Sequence, residues 1–189
     1  SSEEAAAVLT ELTEKICSAL GPAVFATNGE TMEEVVGSLL KARGKTVSVA
    51  ESCTGGMIGM RLTEVSGSSA YFIEGSVVYS NESKLRTLNV SELTLRDHGA
   101  VSSETAEAMA KGMRERSGSD FAISVTGIAG PDGGTEEKPV GTVFIGYSDP
   151  RRTRSMKFVF PGDRELIRWR SSQAALDYLR RQILKETSN

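Results

Sequence analysis

A short β-branched run, Thr46 to Ala50, passes through Glu51-Ser52-Cys53-Thr54 into the pair Gly55-Gly56, and an apolar stretch from Met57 to Val65 follows at once. That order leaves a chain little choice: a strand, a tight glycine turn, and a helix that begins at the strand's carboxyl edge. A looser version recurs. Tyr71 to Ser80 reads as a strand and runs into a short helix over 81–88 with Asn81 as its N-cap. Ser102 or Ser103 caps a helix whose Ala106, Met109, Ala110 and Met113 share one face, and Phe121 to Val125 is a strand of the buried type. Strands alternating with helices predict an α/β fold, a three-layer α/β/α sandwich around a mixed, largely parallel sheet. The mixed character comes from Val140 to Tyr147 and Ser155 to Phe160, two strands with no helix between them, which must form a hairpin.

Either side of this core the pattern is helical. Val8, Leu12, Ile16 and Leu20 fall at helical spacing until Gly21-Pro22 stops them, and Thr31 with Glu34 forms a capping box ahead of Val35, Val36, Leu39, Leu40 and a terminating Gly44. From Asp163 to Lys185 a long helix turns Ile167, Ala174, Ala175, Tyr178 and Leu179 inward. With 189 residues the chain is sized for one compact core. Residues 1–29 are read as an N-terminal helix and linker segment, and 30–189 as the domain proper. The chain opens on Ser1 and Ser2 rather than Met, the mark of a processed chain or a piece of a longer one.

Charge narrows the function. A formal net charge of −3 opposes general nucleic-acid binding, which requires many cations placed to release counterions. Arg151, Arg152 and Arg154 read as a solvated strand edge. No run of about 18 apolar residues predicts a membrane span, and no basic, apolar, small-residue order predicts a signal peptide, so a cytoplasmic protein is expected. Two cysteines, Cys17 and Cys53, and one histidine, His98, do not make a zinc site. His98, ahead of Gly99, reads as a helix end.

Three constellations carry chemistry. Ser52 lies where strand becomes helix, so its hydroxyl is either a nucleophile or a cap; the N–H groups of Thr54, Gly55 and Gly56 beside it suit a phosphate or an oxyanion. Tyr79 and Lys84 lie at the next strand-to-helix junction. A serine without histidine needs another base, and a lysine serves if burial and a helix start keep it neutral, with Tyr79 relaying its proton or protonating the departing amine; the alternative is a half-buried tyrosine and a surface charge. The third is the glycine-rich loop Thr126-Gly127-Ile128-Ala129-Gly130-Pro131-Asp132-Gly133-Gly134, suited to wrapping a ligand, with Arg164 at the start of the last helix in reach of a phosphate. Cys53 is a rival nucleophile, although its side chain points away from that of Ser52.

At these points the sequence resembles the CinA C-terminal family, the nicotinamide mononucleotide amidohydrolases or deamidases. The matching motifs are AESCTGG at 50–56, GSVVYSNESK at 75–84, TGIAGPDGG at 126–134, KPVGTV at 138–143 and PGDRELIR at 161–168. The resemblance implies hydrolysis of the linear amide of nicotinamide mononucleotide to nicotinic acid mononucleotide and ammonia, a pyridine-nucleotide salvage step toward NAD, with no metal or organic cofactor. It places the nucleophile on Ser52 and its partners on Tyr79 and Lys84; the turn, loop and helix start read above give the expected substrate contacts, Thr54, Gly55, Gly56, Thr126, Gly127, Ala129, Gly130, Gly133 and Arg164. It further implies a homodimer, and an N-terminal domain in longer members. One position departs: the family's second glycine before the tyrosine strand is Ser76 here. The reading to set against catalysis is a nucleotide-binding, regulatory domain of a two-domain competence/damage-inducible protein.

Overall fold

The computed structural model describes residues 2–185. Five strands, β1 (Val47–Glu51), β2 (Phe72–Val77), β3 (Phe121–Gly127), β4 (Thr142–Ser148) and β5 (Thr153–Val159), form one sheet in the order β2-β1-β3-β4-β5. β1 lies parallel to β2 and β3, while β3–β4 and β4–β5 are antiparallel, so the expected mixed sheet is present with its hairpin at β4–β5. Helices α2 (Met32–Arg43), α3 (Met57–Glu64) and α7 (Arg164–Lys185) pack together on one face. Helices α4 (Asn81–Leu88), α5 (Glu92–His98) and α6 (Ser103–Ser117) cover the other. β4 is buried along its whole length, as a strand between two helical layers must be.

Strand alternation sorts the side chains of β1. Val47 and Val49 join the core beneath α2, α3 and α7, with Val36, Leu40, Leu62, Leu176 and Leu179, whereas Ala50 joins Leu88, Met109 and Met113 on the opposite face. α6 comes close to α4 because Gly112 has no side chain: a Cβ there would sit 1.9 Å from the carbonyl oxygen of Leu88.

The capping signals have clear outcomes. Thr31 and Glu34 exchange both bonds of the box, 3.3 Å and 2.8 Å. Ser102 caps α6 and Asp163 caps α7 through its Oδ1, which accepts from Leu166 N at 2.9 Å. α4 corrects the expected cap: β2 ends at Val77, and Ser80, in extended backbone, accepts from Ser83 N, so Asn81 is already the first helical residue. At the other end of the chain, α1 (Ser2–Leu20) carries the expected apolar row, yet Val8, Leu12, Ile16 and Leu20 remain 45–62% exposed. Among the described residues no helix is long and apolar enough to cross a membrane.

Candidate active site

The parallel strands end at one edge, and the chain leaves β1 and β2 toward opposite faces, which opens a crevice above β1. Alternation continues past the strand. Glu51 faces α3, Ser52 faces α4, and Cys53 returns to the core beneath α3. Gly55 and Gly56 take φ of +63° and +95°, the left-handed conformation that makes so tight a turn accessible to glycine. Ser52 N donates to Val125 O at 2.9 Å and Gly55 N to Ser52 O at 3.1 Å, so the Ser52 backbone is tied both to β3 and to its own turn.

Lys84 enters from the fourth position of α4 and is 1% exposed. Its Nζ donates to Ser52 Oγ at 3.2 Å, to Val78 O at 2.9 Å and to Tyr79 O at 3.1 Å. Burial pushes this amine below its ordinary 10.5, against the opposing influence of Cys53 and Glu82. The two carbonyls then matter. A neutral amine has two N–H donors and one lone pair; with both donors held by Val78 and Tyr79, the lone pair is left facing the Ser52 hydroxyl. In that geometry a neutral amine can accept the proton of the hydroxyl it faces. Cys53 is the opposite case: burial, with the neighbouring Glu51 charge adding to it, pushes the thiol up to about 12, so near neutrality no thiolate forms.

Ser52, Tyr79 and Lys84 meet Thr126, Gly127, Ala129, Gly130, Gly133 and Arg164 around one cavity of about 280 Å³. Arg164 spans its mouth, donating from Nη1 to Gly130 O at 2.8 Å and from Nη2 to Tyr79 Oη at 3.2 Å. Two expectations are corrected here. The phenol of Tyr79 is not interposed between amine and serine, because Lys84 and Ser52 are in direct contact; the chain at 78–80 turns its carbonyls inward and leaves the Tyr79 ring 60% exposed at the rim. Thr54, Gly55 and Gly56 do not line the cavity: Thr54 is fully buried, Arg168 Nη2 donates to its carbonyl at 2.9 Å, and the N–H of Gly56 is taken by Glu51.

Sequence reasoning missed Glu51, whose strand-end carboxylate ahead of a glycine pair was a legible sign of a helix start needing acceptors. It also missed Ala100 and Val101, which line the cavity from the segment between α5 and α6, and Asp132 in the glycine loop. Two clefts of about 530 Å³ flank Trp169, but among the described residues neither brings a nucleophile to a base. Nor do three or more His, Cys, Asp or Glu side chains gather as a metal site among the described residues.

Comparison with known proteins agrees with this architecture. The model of the CinA C-terminal domain family matches residues 29–183. A CinA-like protein of Geotalea daltonii is 54% identical over 171 residues, covering 90% of this chain and 41% of that protein. A second, from Koribacter versatilis, is 50% identical over 182 residues, 96% of this chain and 44% of the relative, so the chain spans well under half the length of these curated relatives. Among solved structures, the competence/damage inducible protein CihA from Agrobacterium tumefaciens is 40% identical with a TM-score of 0.77, covering 82% of this chain and 96% of that one. A CinA superfamily protein from Klebsiella pneumoniae is 31% identical with a TM-score of 0.78, covering 82% and 99%.

Proposed function

The chain belongs to the CinA C-terminal domain family, and from that membership and the geometry above we propose that it hydrolyses the carboxamide of nicotinamide mononucleotide to nicotinic acid mononucleotide and ammonia. One observation carries the reading: a buried lysine amine, lowered by burial, touches a serine hydroxyl at 3.2 Å while its other hydrogen bonds run to main-chain carbonyls. In the proposed reaction Lys84 takes the proton of Ser52 as its oxygen bonds to the amide carbon. The carbon–nitrogen bond breaks, and the nitrogen leaves as ammonia with the proton that Lys84 took from Ser52, which returns the amine to its neutral form. Water, deprotonated by the same amine, then attacks the acyl carbon; the bond to Ser52 Oγ breaks, Lys84 returns the proton to that oxygen, and the acid product leaves. Arg164 and the backbone of the 127–133 loop are assigned to the phosphate and the oxyanion, the α3 turn having no open N–H at Gly56.

Replacing Ser52 with Ala, with the fold verified by circular dichroism, is expected to abolish ammonia release, and retained turnover would remove Ser52 from the role. Calorimetry run beside the ammonia assay decides against the alternative, since binding without turnover by the unaltered chain would make this a nucleotide-binding module. The proposal extends to a cytoplasmic homodimer, which light scattering of the purified chain checks.

A further inference from the structure

Glu51 is buried to 1% exposure immediately before the nucleophile, and the reaction as described gives it nothing to do. Its Oε2 accepts the N–H groups of Gly56 and Ile58, both at 3.1 Å, and its Oε1 accepts that of Gly59 at 2.9 Å. These are the donors a helix leaves unsatisfied at its start, and at the strand edge of an α/β sheet they ordinarily receive a ligand's phosphate or a developing oxyanion. Here the protein's own carboxylate fills them, buried and outside the lining of the Ser52 cavity. A second anion at the same spot would meet both a negative charge and an occupied set of donors.

We propose that Glu51 is a positioning residue: an internal anion that locks the 52–56 turn onto α3, thereby fixing Ser52 against Lys84, and closes this helix start to substrate, turning the phosphate to the Arg164 wall. The inference rests on the hydrolase reading for its kinetic consequences. Its structural half stands on the hydrogen bonds alone. Because Glu51 and Ser52 are consecutive and point to opposite faces, any loosening of the carboxylate's three bonds rotates the backbone that aims the hydroxyl. The substrate's phosphate, held elsewhere, does not feel that rotation.

Two variants of the complete chain test it. In Glu51→Gln the shape is kept, but the charge is lost and an NH2 group replaces one acceptor. The expected result is a fall in kcat of about 100-fold, the cost of misplacing a reacting group by roughly 1 Å, with KM for nicotinamide mononucleotide within about threefold of the unaltered chain. In Glu51→Ala, added sodium formate is expected to restore kcat at least about tenfold over a matched sodium chloride control, as a small carboxylate re-enters the helix start. Amide hydrogen exchange supplies a readout independent of turnover: Gly56, Ile58 and Gly59 lose protection in Glu51→Ala and regain it with formate. A Gln variant with unchanged kcat, a KM lowered tenfold or more, or exchange at those three amides that ignores both the substitution and formate would each overturn the proposal. Should Glu51→Ala fail to fold, the Gln variant's kcat and amide exchange decide. If the unaltered chain releases no ammonia, the hydrolase reading fails and the exchange result alone judges Glu51.

Discussion

Gly112→Ala tests whether the packing of α6 on α4 sets the catalytic distance. The added Cβ would lie 1.9 Å from Leu88 O and 2.9 Å from Leu88 C, against the 3.4 Å at which ordinary contact begins. The neighbour is main chain and cannot rotate away, so the helices must part by about 1.5 Å. Overpacking of this kind costs about 1–3 kcal/mol, and a contact this short belongs at the upper end. Alanine returns about 1 kcal/mol through its better helix propensity. The net loss is then about 2 kcal/mol, a fall in Tm of about 4–8 °C for a chain of this length. Leu88 ends α4 and Lys84 lies one turn earlier, with its Nζ 3.2 Å from Ser52 Oγ, so part of the displacement reaches the amine. A shift approaching 1 Å lowers kcat by roughly 10–100-fold with little change in KM. Thermal unfolding by circular dichroism and a coupled ammonia assay on the same preparation read both numbers. An unchanged Tm would refute the packing argument; a lowered Tm with kcat within twofold would show that α4 does not hold Lys84 through this contact.

Three further outcomes follow from the site. For Lys84, activity in the unaltered chain is expected to rise with pH through an inflection below 10.5, because the proposed reaction uses the neutral amine, and Lys84→Met is expected to abolish turnover. Since the folded-state value is depressed, the unfolded chain binds the extra proton between that value and 10.5; stability therefore rises with pH across this window, and the urea midpoint of Lys84→Met shows a shallower rise there. Arg164→Ala raises KM for nicotinamide mononucleotide by about 10–100-fold, the worth of a charge-assisted pair, and leaves KM for the phosphate-free riboside nearly unchanged; equal losses for both substrates would take the phosphate away from Arg164. Cys53→Ala keeps kcat within about threefold, since the thiol is protonated and sits in the core, and a collapse of kcat with an intact fold would reopen the thiolate route.

The strand, glycine turn and helix around Ser52 were readable from residues 46–65 because backbone chemistry dictates them: a β-branched run, then glycines at positive φ. The serine–lysine pair was readable for a similar reason, each group sitting at a strand-to-helix junction. Orientation was not. Ser80 and Asn81 are adjacent residues of equal capping ability, and only the backbone at 78–80 decides that Ser80 caps, that Tyr79 lies at the rim and that its carbonyl rather than its phenol meets Lys84. Glu51 stands ahead of a glycine pair and a helix start, which marks a need for acceptors, but only the fold shows that its carboxylate takes the N–H groups of Gly56, Ile58 and Gly59. Ala100 and Val101 carry no chemical signature at all, and only the folded chain brings them to the cavity.

The amine of Lys84 is steered by Val78 O and Tyr79 O, which are groups every amino acid possesses. Substitution at 78 by another apolar residue therefore leaves the carbonyl that aims the lone pair in place, and drift at this buried position costs packing before it costs reactivity. Directional control of the Lys84 amine is thus insulated from side-chain change, and under the proposed reaction an engineer recasting the pocket for a bulkier amide has freedom at the rim that would be absent if a second side chain had to orient that amine.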